Sequence, residues 1–141
     1  MKLAIIPARS GSKRIKNKNI KNFFGKPIIY WSIKLAIECN LFDKVIVSTD
    51  SHKIAKLSRS YGAETPFLRP KSLSSDYINT DKVIKHSINW FKKKNINFKY
   101  ICCIYPTAPF LTKQILKNGL KILTKKKKLF SFTVTSFSHP I

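Results

Sequence analysis

Acidic residues are scarce. Six Asp and Glu stand against 28 Lys and Arg, a formal net charge of +22 at pH 7, and the six form no convincing carboxylate pair at a strand end. Asp76 and Asp81 could make a metal pair only on composition. Glycine is sparse as well, at four residues. Neither Gly-x4-Gly-Lys-Ser/Thr nor Gly-x-Gly-x-x-Gly occurs, which excludes a Walker A loop and a dinucleotide fingerprint. Cys39, Cys102 and Cys103 lie in no Cys-x-x-Cys or Cys/His ligand spacing, so reduced core thiols are expected rather than zinc ligands. No stretch reaches the roughly 18 consecutive apolar residues of a membrane span. The opening run Leu3-Ala4-Ile5-Ile6 is cut by Pro7 and Arg9, too short for a signal-peptide core. A cytoplasmic chain with no membrane partner is expected.

What is present is ordinary for a globular protein: 43% hydrophobic and 24% charged residues. A chain of 141 residues is one domain at most, and burying roughly two-thirds of its unfolded surface supplies one core. The charge admits a rival reading, a basic α/β module that binds nucleic acid. Lysines, however, are scattered over every expected helix and loop. Arg, the usual residue for base edges and bidentate phosphate contacts, occurs only at positions 9, 14, 59 and 69. That distribution suits solvated lysine faces, with no dedicated nucleic-acid site.

Strands and helices alternate along the chain. The apolar runs predict strands over 2–8, 44–48, 63–68, 98–104 and 130–135. Helical spacing predicts helices over 27–40, from about 51 to Tyr61 with Gly62 as its stop, from 80 to Phe91, and over 113–126. Thr49-Asp50-Ser51 offers N-caps for the second helix, with Asp50 read as a cap rather than a nucleotide contact, and Asn79 or Thr80 could cap the third. Continuous apolar strands imply a sheet covered on both faces, hence an α/β layered fold. In such sheets the ligand crevice lies outside the carboxyl ends of the strands. The connections expected there carry residues 9–26, 69–76 and 105–110.

The first connection, Pro7-Ala8-Arg9-Ser10-Gly11-Ser12-Lys13-Arg14-Ile15-Lys16-Asn17-Lys18-Asn19, places small residues and cations directly after a strand. Gly and Ser let a backbone approach an anion, and Arg and Lys neutralise its charge. A triphosphate cradle and a solvated basic loop are both compatible with that composition. Pro-Ala-Arg-Ser-Gly-Ser-Lys-Arg-Ile, then Lys18-Asn19 and Gly25-Lys26-Pro27, resembles the opening signature of the acylneuraminate cytidylyltransferases. Val47-Ser48-Thr49-Asp50, Leu68-Arg69-Pro70, Leu73-Ser74-Ser75-Asp76 and Pro106-Thr107-Ala108-Pro109 follow in that family's order, so the resemblance spans the whole chain. The stretch Ile104 to Leu111 and the ending Thr133-Val134-Thr135-x-Phe137-x-x-Pro140-Ile141 resemble the pseudaminic acid branch.

The resemblance implies a Rossmann-like nucleotidyltransferase fold, a glycosyltransferase-A-like three-layer α/β sandwich whose C-terminal part lies beyond residue 141. It implies transfer of CMP from CTP to the anomeric hydroxyl of a nine-carbon acidic sugar with release of pyrophosphate. Pseudaminic acid is the expected sugar, with N-acylneuraminate and legionaminate as alternatives. Carried over by position, Ala8, Arg9, Ser12, Lys13, Lys18, Asn19, Arg69 and Thr80 are expected to bind nucleotide, with Arg9 and Lys18 acting in catalysis. Tyr105 stands where sialic-acid enzymes typically have Gln, and either contacts the sugar or packs its loop. Magnesium is expected as cofactor, held by residues downstream and by none here. The resemblance further implies a truncated nucleotide-binding part of one domain, inactive alone, and a homodimer at full length.

Overall fold

Leu3, Ala4, Ile5 and Ile6 are fully buried in β1 (Lys2–Pro7), the central strand of its sheet. The computed structural model describes residues 1–12 and 14–136. These fall into two compact units, Met1–Phe110 and Leu111–Ile141.

In the first unit β1 is followed by a small hairpin of β2 (Asn22–Phe23) and β3 (Lys26–Pro27), then α1 (Ile28–Glu38), β4 (Lys44–Ser48), α2 (His52–Ser60), α3 (Thr80–Lys92) and β5 (Tyr100–Cys103). The sheet order is β4-β1-β5, with both pairings parallel. From β1 the chain crosses one way to β4 and later the other way to β5. Right-handed crossovers in opposite directions put α1 and α3 on opposite faces of the sheet. Packing agrees: Leu3, Ile5 and Ile46 meet Phe91 of α3, with Phe67, Trp90 and Phe98 around them. Ala4 and Ile6 point to the other face by the strand's two-residue period. There α1 contacts β1 and β4, and its Ile29, Ile33 and Ala36 are buried.

Local chemistry explains the boundaries. Gly62, at φ 90°, ends α2 in the left-handed conformation that glycine adopts without Cβ strain, and Ala63 N–H donates to the Ser58 carbonyl. The hairpin turns on Phe24 and Gly25, both at positive φ, as a two-residue primed turn requires. Sequence reading takes this segment as an irregular connection, because Phe-Gly lacks the usual Asn-Gly or Asp-Gly signature.

Three expectations are corrected. The strand over 63–68 reduces to two isolated bridges, Ile46 to Glu64 and Thr49 to Leu68, so the segment follows β4 without a continuous ladder. Asp50 does not cap α2. Ser51 does, in extended conformation, its Oγ accepting from Ile54 N–H at 3.3 Å.

In the second unit α4 (Lys113–Lys125) starts at Thr112, whose Oγ1 accepts from Ile115 N–H. The third correction lies here. Residues 130–136 form no strand: the alternation Phe130-Ser-Phe-Thr-Val134 suits one, but no strand among the described residues offers it a ladder, and Phe130, Phe132 and Val134 are exposed. The pseudaminic-type ending at Phe137, Pro140 and Ile141 falls outside the described residues.

Candidate nucleotide site

At the carboxyl end of β1 the strand order reverses between β4 and β5, and a pocket opens there, as this topology leads one to expect. Each flanking connection contributes: Arg9, Ser12, Lys18 and Asn19 after β1, Arg69, Leu73, Ser75, Ile78 and Thr80 between β4 and β5, and Tyr105 to Thr107 after β5.

The first connection is tied down residue by residue. Ala8 N–H continues the β4 ladder by donating to the Ser48 carbonyl at 2.9 Å, and the Arg9 carbonyl accepts from Asn19 Nδ2 at 2.9 Å. Ser10 donates both its N–H and its hydroxyl to Asp50, each at 2.8 Å. Ser12 N–H donates to the Ser10 carbonyl. The N–H groups of Ala8, Ser10 and Ser12 are therefore engaged within the protein, so at these positions an anion would meet side chains. Asn19 sits on a single 3-10 turn, Lys18–Ile20, entered through Asn17 in the left-handed region.

Two polar side chains stand out by what they lack. Asn19 and Arg69 are each only 5% exposed, yet among the described residues Asn19 Oδ1 and Arg69 Nε and Nη2 have no hydrogen-bond partner. Buried polar atoms are rarely left unpaired, so three such atoms in one pocket point to a ligand that completes them. Burial pushes the Arg69 guanidinium below its ordinary pKa; Asp50 opposes the shift and Arg9 adds to it. Its backbone is fixed, Arg69 N–H donating to the Thr49 carbonyl at 2.8 Å.

On the third side the Tyr105 carbonyl accepts from Ser32 Oγ of α1 at 2.9 Å, and its phenol lies 3.2 Å from Thr80 Oγ1 at the start of α3. Tyr105 is 57% exposed and lines the pocket. Thr80 begins α3 rather than capping it; Asn79 occupies the cap position without a side-chain bond.

Of the residues singled out from sequence, Arg9, Ser12, Lys18, Asn19, Arg69, Thr80 and Tyr105 come together around this pocket. Ala8 is fully buried beside it in the ladder, and Lys13 lies outside the described residues. Ser75 and Thr107 also line it, with Ile78 and Val83 supplying apolar wall. Sequence reading sees Leu-Ser-Ser-Asp and Pro-Thr-Ala-Pro as motifs but assigns these members no role.

The acidic residues nearest the pocket are engaged: Asp50 with Ser10, and Asp76 with Arg9 in an ion pair. Among the described residues no group of three His, Cys, Asp or Glu could hold a metal. His86, beside Phe67, is held below its ordinary pKa by burial and by Arg69. No helix among the described residues is long and apolar enough to cross a membrane.

The profile of the cytidylyltransferase family matches residues 3–139. The chain belongs to this family. It is 42% identical over 139 residues to a pseudaminic acid cytidylyltransferase of Campylobacter jejuni, covering 99% of this chain and 60% of that one. It is 34% identical over 139 residues to an N-acylneuraminate cytidylyltransferase of Escherichia coli, covering 98% of this chain and 32% of the relative. The chain thus spans well under two-thirds of the length of these relatives. Among solved structures it superposes on a CMP:2-keto-3-deoxy-manno-octonic acid synthetase, determined in complex with CTP. That match has a TM-score of 0.76 at 17% identity and covers 91% of this chain and 49% of that one. At this identity the likeness bears out the Rossmann-like α/β fold of the family.

Proposed function

We propose that this chain is the nucleotide-binding part of a cytidylyltransferase that transfers CMP from CTP to the anomeric hydroxyl of a nonulosonic acid, most closely pseudaminic acid. The observation that carries the reading is the set of unpartnered buried atoms in one pocket. Arg69 offers donors for phosphate oxygens, and Asn19 offers an acceptor for a base edge.

In the reaction the anomeric oxygen attacks the α-phosphorus in line. The bond from that phosphorus to the bridging oxygen breaks, pyrophosphate leaves, and the hydroxyl proton is released. The contribution of this chain is to hold charge and geometry. Arg9 and Lys18 flank the pocket as cations for the triphosphate, and Arg69 adds a third from a drier position. Asn19 Nδ2 is already engaged with the Arg9 carbonyl, so its free Oδ1 selects a base with an amino group. Cytosine carries one where uracil carries a carbonyl. Tyr105 lines the pocket wall, and a Tyr where sialic-acid enzymes typically have Gln supports pseudaminic over sialic acid.

Competition titration tests this directly. CTP binds more tightly than UTP and ATP, and Arg9→Ala, Lys13→Ala and Lys18→Ala each weaken it by about tenfold without lowering the melting temperature. Equal affinity for the three nucleotides, or CTP affinity within about twofold of wild type in all three variants, refutes the assignment. A product assay over pseudaminic, N-acetylneuraminic and legionaminic acids then selects the sugar.

A further inference from the structure

We propose that Asp50 is a positioning residue for nucleotide binding: by gripping both the N–H and the hydroxyl of Ser10, it holds the segment that presents Arg9 to the ligand's phosphates. The inference rests on the CTP-binding reading above.

Arg9 is bracketed. On one side Ala8 remains in the sheet ladder, and on the other Ser10 is held twice by Asp50, each bond at 2.8 Å. The anchor is itself rigid. Asp50 lies two residues beyond the end of β4, and Pro7 of β1 pairs with Ser48 of β4, so the two strand ends bring Ser10 and Asp50 together. Thr49 is fully buried, and Ser51 is fixed as the cap of α2 with its N–H donating to Thr49 Oγ1 at 3.2 Å. Asn19 Nδ2 adds a further hold on this segment by donating to the Arg9 carbonyl. Among its described residues the segment otherwise carries two short turns, Ser12 N–H to the Ser10 carbonyl and Lys18 N–H to the Ile15 carbonyl, and regular structure resumes only at Lys18.

A carboxylate near a phosphate pocket is costly unless it does something else. Its charge repels a triphosphate. Arg69 feels that charge, since Asp50 raises the guanidinium's pKa against the effect of burial. This makes the two possible roles of Asp50 differ in sign. If Asp50 were only a background charge, any neutral replacement would tighten CTP binding. If it positions the segment, losing the grip weakens binding, and an isostere that keeps both bonds preserves it. Asn is such an isostere: its carbonyl oxygen accepts from Ser10 N–H and its amide donates to the Ser10 hydroxyl oxygen.

The experiment is calorimetric titration of CTP into the wild-type chain and into Asp50→Ala, Asp50→Asn and Ser10→Ala, with thermal unfolding of each. Asp50→Ala is expected to weaken CTP by about tenfold, Asp50→Asn to stay within about twofold of wild type or tighten, and Ser10→Ala to weaken about threefold. Affinity in Asp50→Ala equal to or above wild type overturns the proposal, as does an Asp50→Asn variant as weak as Asp50→Ala. Ser10 is exposed, so its replacement leaves the fold intact. Should Asp50→Ala not fold, unchanged affinity in Ser10→Ala overturns the proposal and weakened affinity supports it. Absence of CTP binding by the wild-type chain would instead strike the functional reading, before any variant is made.

Discussion

Arg9 and Asp76, 67 residues apart in sequence, form an ion pair beside the pocket that Arg9 lines. Each side chain is about one-third exposed, at 32% and 30%, so the pair is only partly shielded from solvent. If Arg9 binds phosphate as proposed, the Asp76 carboxylate and the phosphate compete for one guanidinium.

Removing the competitor should therefore favour the ligand. We expect Asp76→Asn to bind CTP about two- to fivefold more tightly, with the gain shrinking as salt screens the pair. Titrations at low and high ionic strength measure it. Weaker binding in this variant would mean that Asp76 orients Arg9 rather than competing for it.

Arg69 supports a different expectation, one in which stability and binding part company. Its side chain is buried with Nε and Nη2 unpartnered, and the backbone bond to Thr49 does not depend on the side chain. Leaving buried donors unsatisfied costs roughly 1–3 kcal/mol. Arg69→Met keeps the apolar stem while removing that cost, so the melting temperature should hold or rise. CTP affinity should fall by about tenfold or more. A fall in both quantities would show that Arg69 braces the fold.

Why these relationships were not visible in the sequence follows from how each signal arises. β1, β4, α1 and α2 are written in runs and spacings a few residues long, so apolar pattern and the stop at Gly62 reveal them. The pocket residues Arg9, Lys18, Asn19, Arg69 and Thr80 were legible only through ordered motifs, because their composition is that of any lysine-rich loop. Asp50 was assigned to a helix cap because local spacing allows it. Its real partner, Ser10, is 40 residues away and is reached only once β1 and β4 pair. The same holds for Arg9 with Asp76. The strand expected over 130–135 shows the converse limit, since alternation gives a strand its faces but only a neighbour gives it hydrogen bonds.

Cys102 and Cys103, adjacent on β5, should behave as inert thiols. Burial pushes both up to about 11 from an ordinary 9.0. At about pH 8 roughly one thiol in a thousand is then ionised, and the thiolate is the reactive form. Alkylation of the folded chain should be slow at both and become fast on unfolding. The sign of the stability effect follows: below pH 9 both states hold neutral thiols, and as pH rises from 9.0 towards about 11 only the unfolded state ionises, so stability falls. Rapid labelling of either cysteine in the folded chain would contradict this.

Tyr105 carries the expectation that bears on which sugar is used. Its backbone is fixed by Ser32 and its phenol touches Thr80, yet the residue is 57% exposed. The ring can therefore change without dismantling the loop. Tyr105→Gln introduces the residue typical of sialic-acid enzymes, and Tyr105→Phe deletes only the hydroxyl that meets Thr80. If the phenol reads the sugar, both variants keep CTP affinity within about twofold, because the cations and Asn19 are untouched. The ratio of kcat/KM for pseudaminic acid over N-acetylneuraminic acid should then fall by about tenfold, the worth of one lost discriminating hydrogen bond. Thr80→Ala separates the two partners of that contact. It should reproduce the Tyr105→Phe change in the ratio if the pair acts as a unit, and should weaken CTP alone if Thr80 serves only the nucleotide. An unchanged sugar ratio in both Tyr105 variants, accompanied by weaker CTP binding, would assign the ring to shaping the nucleotide pocket.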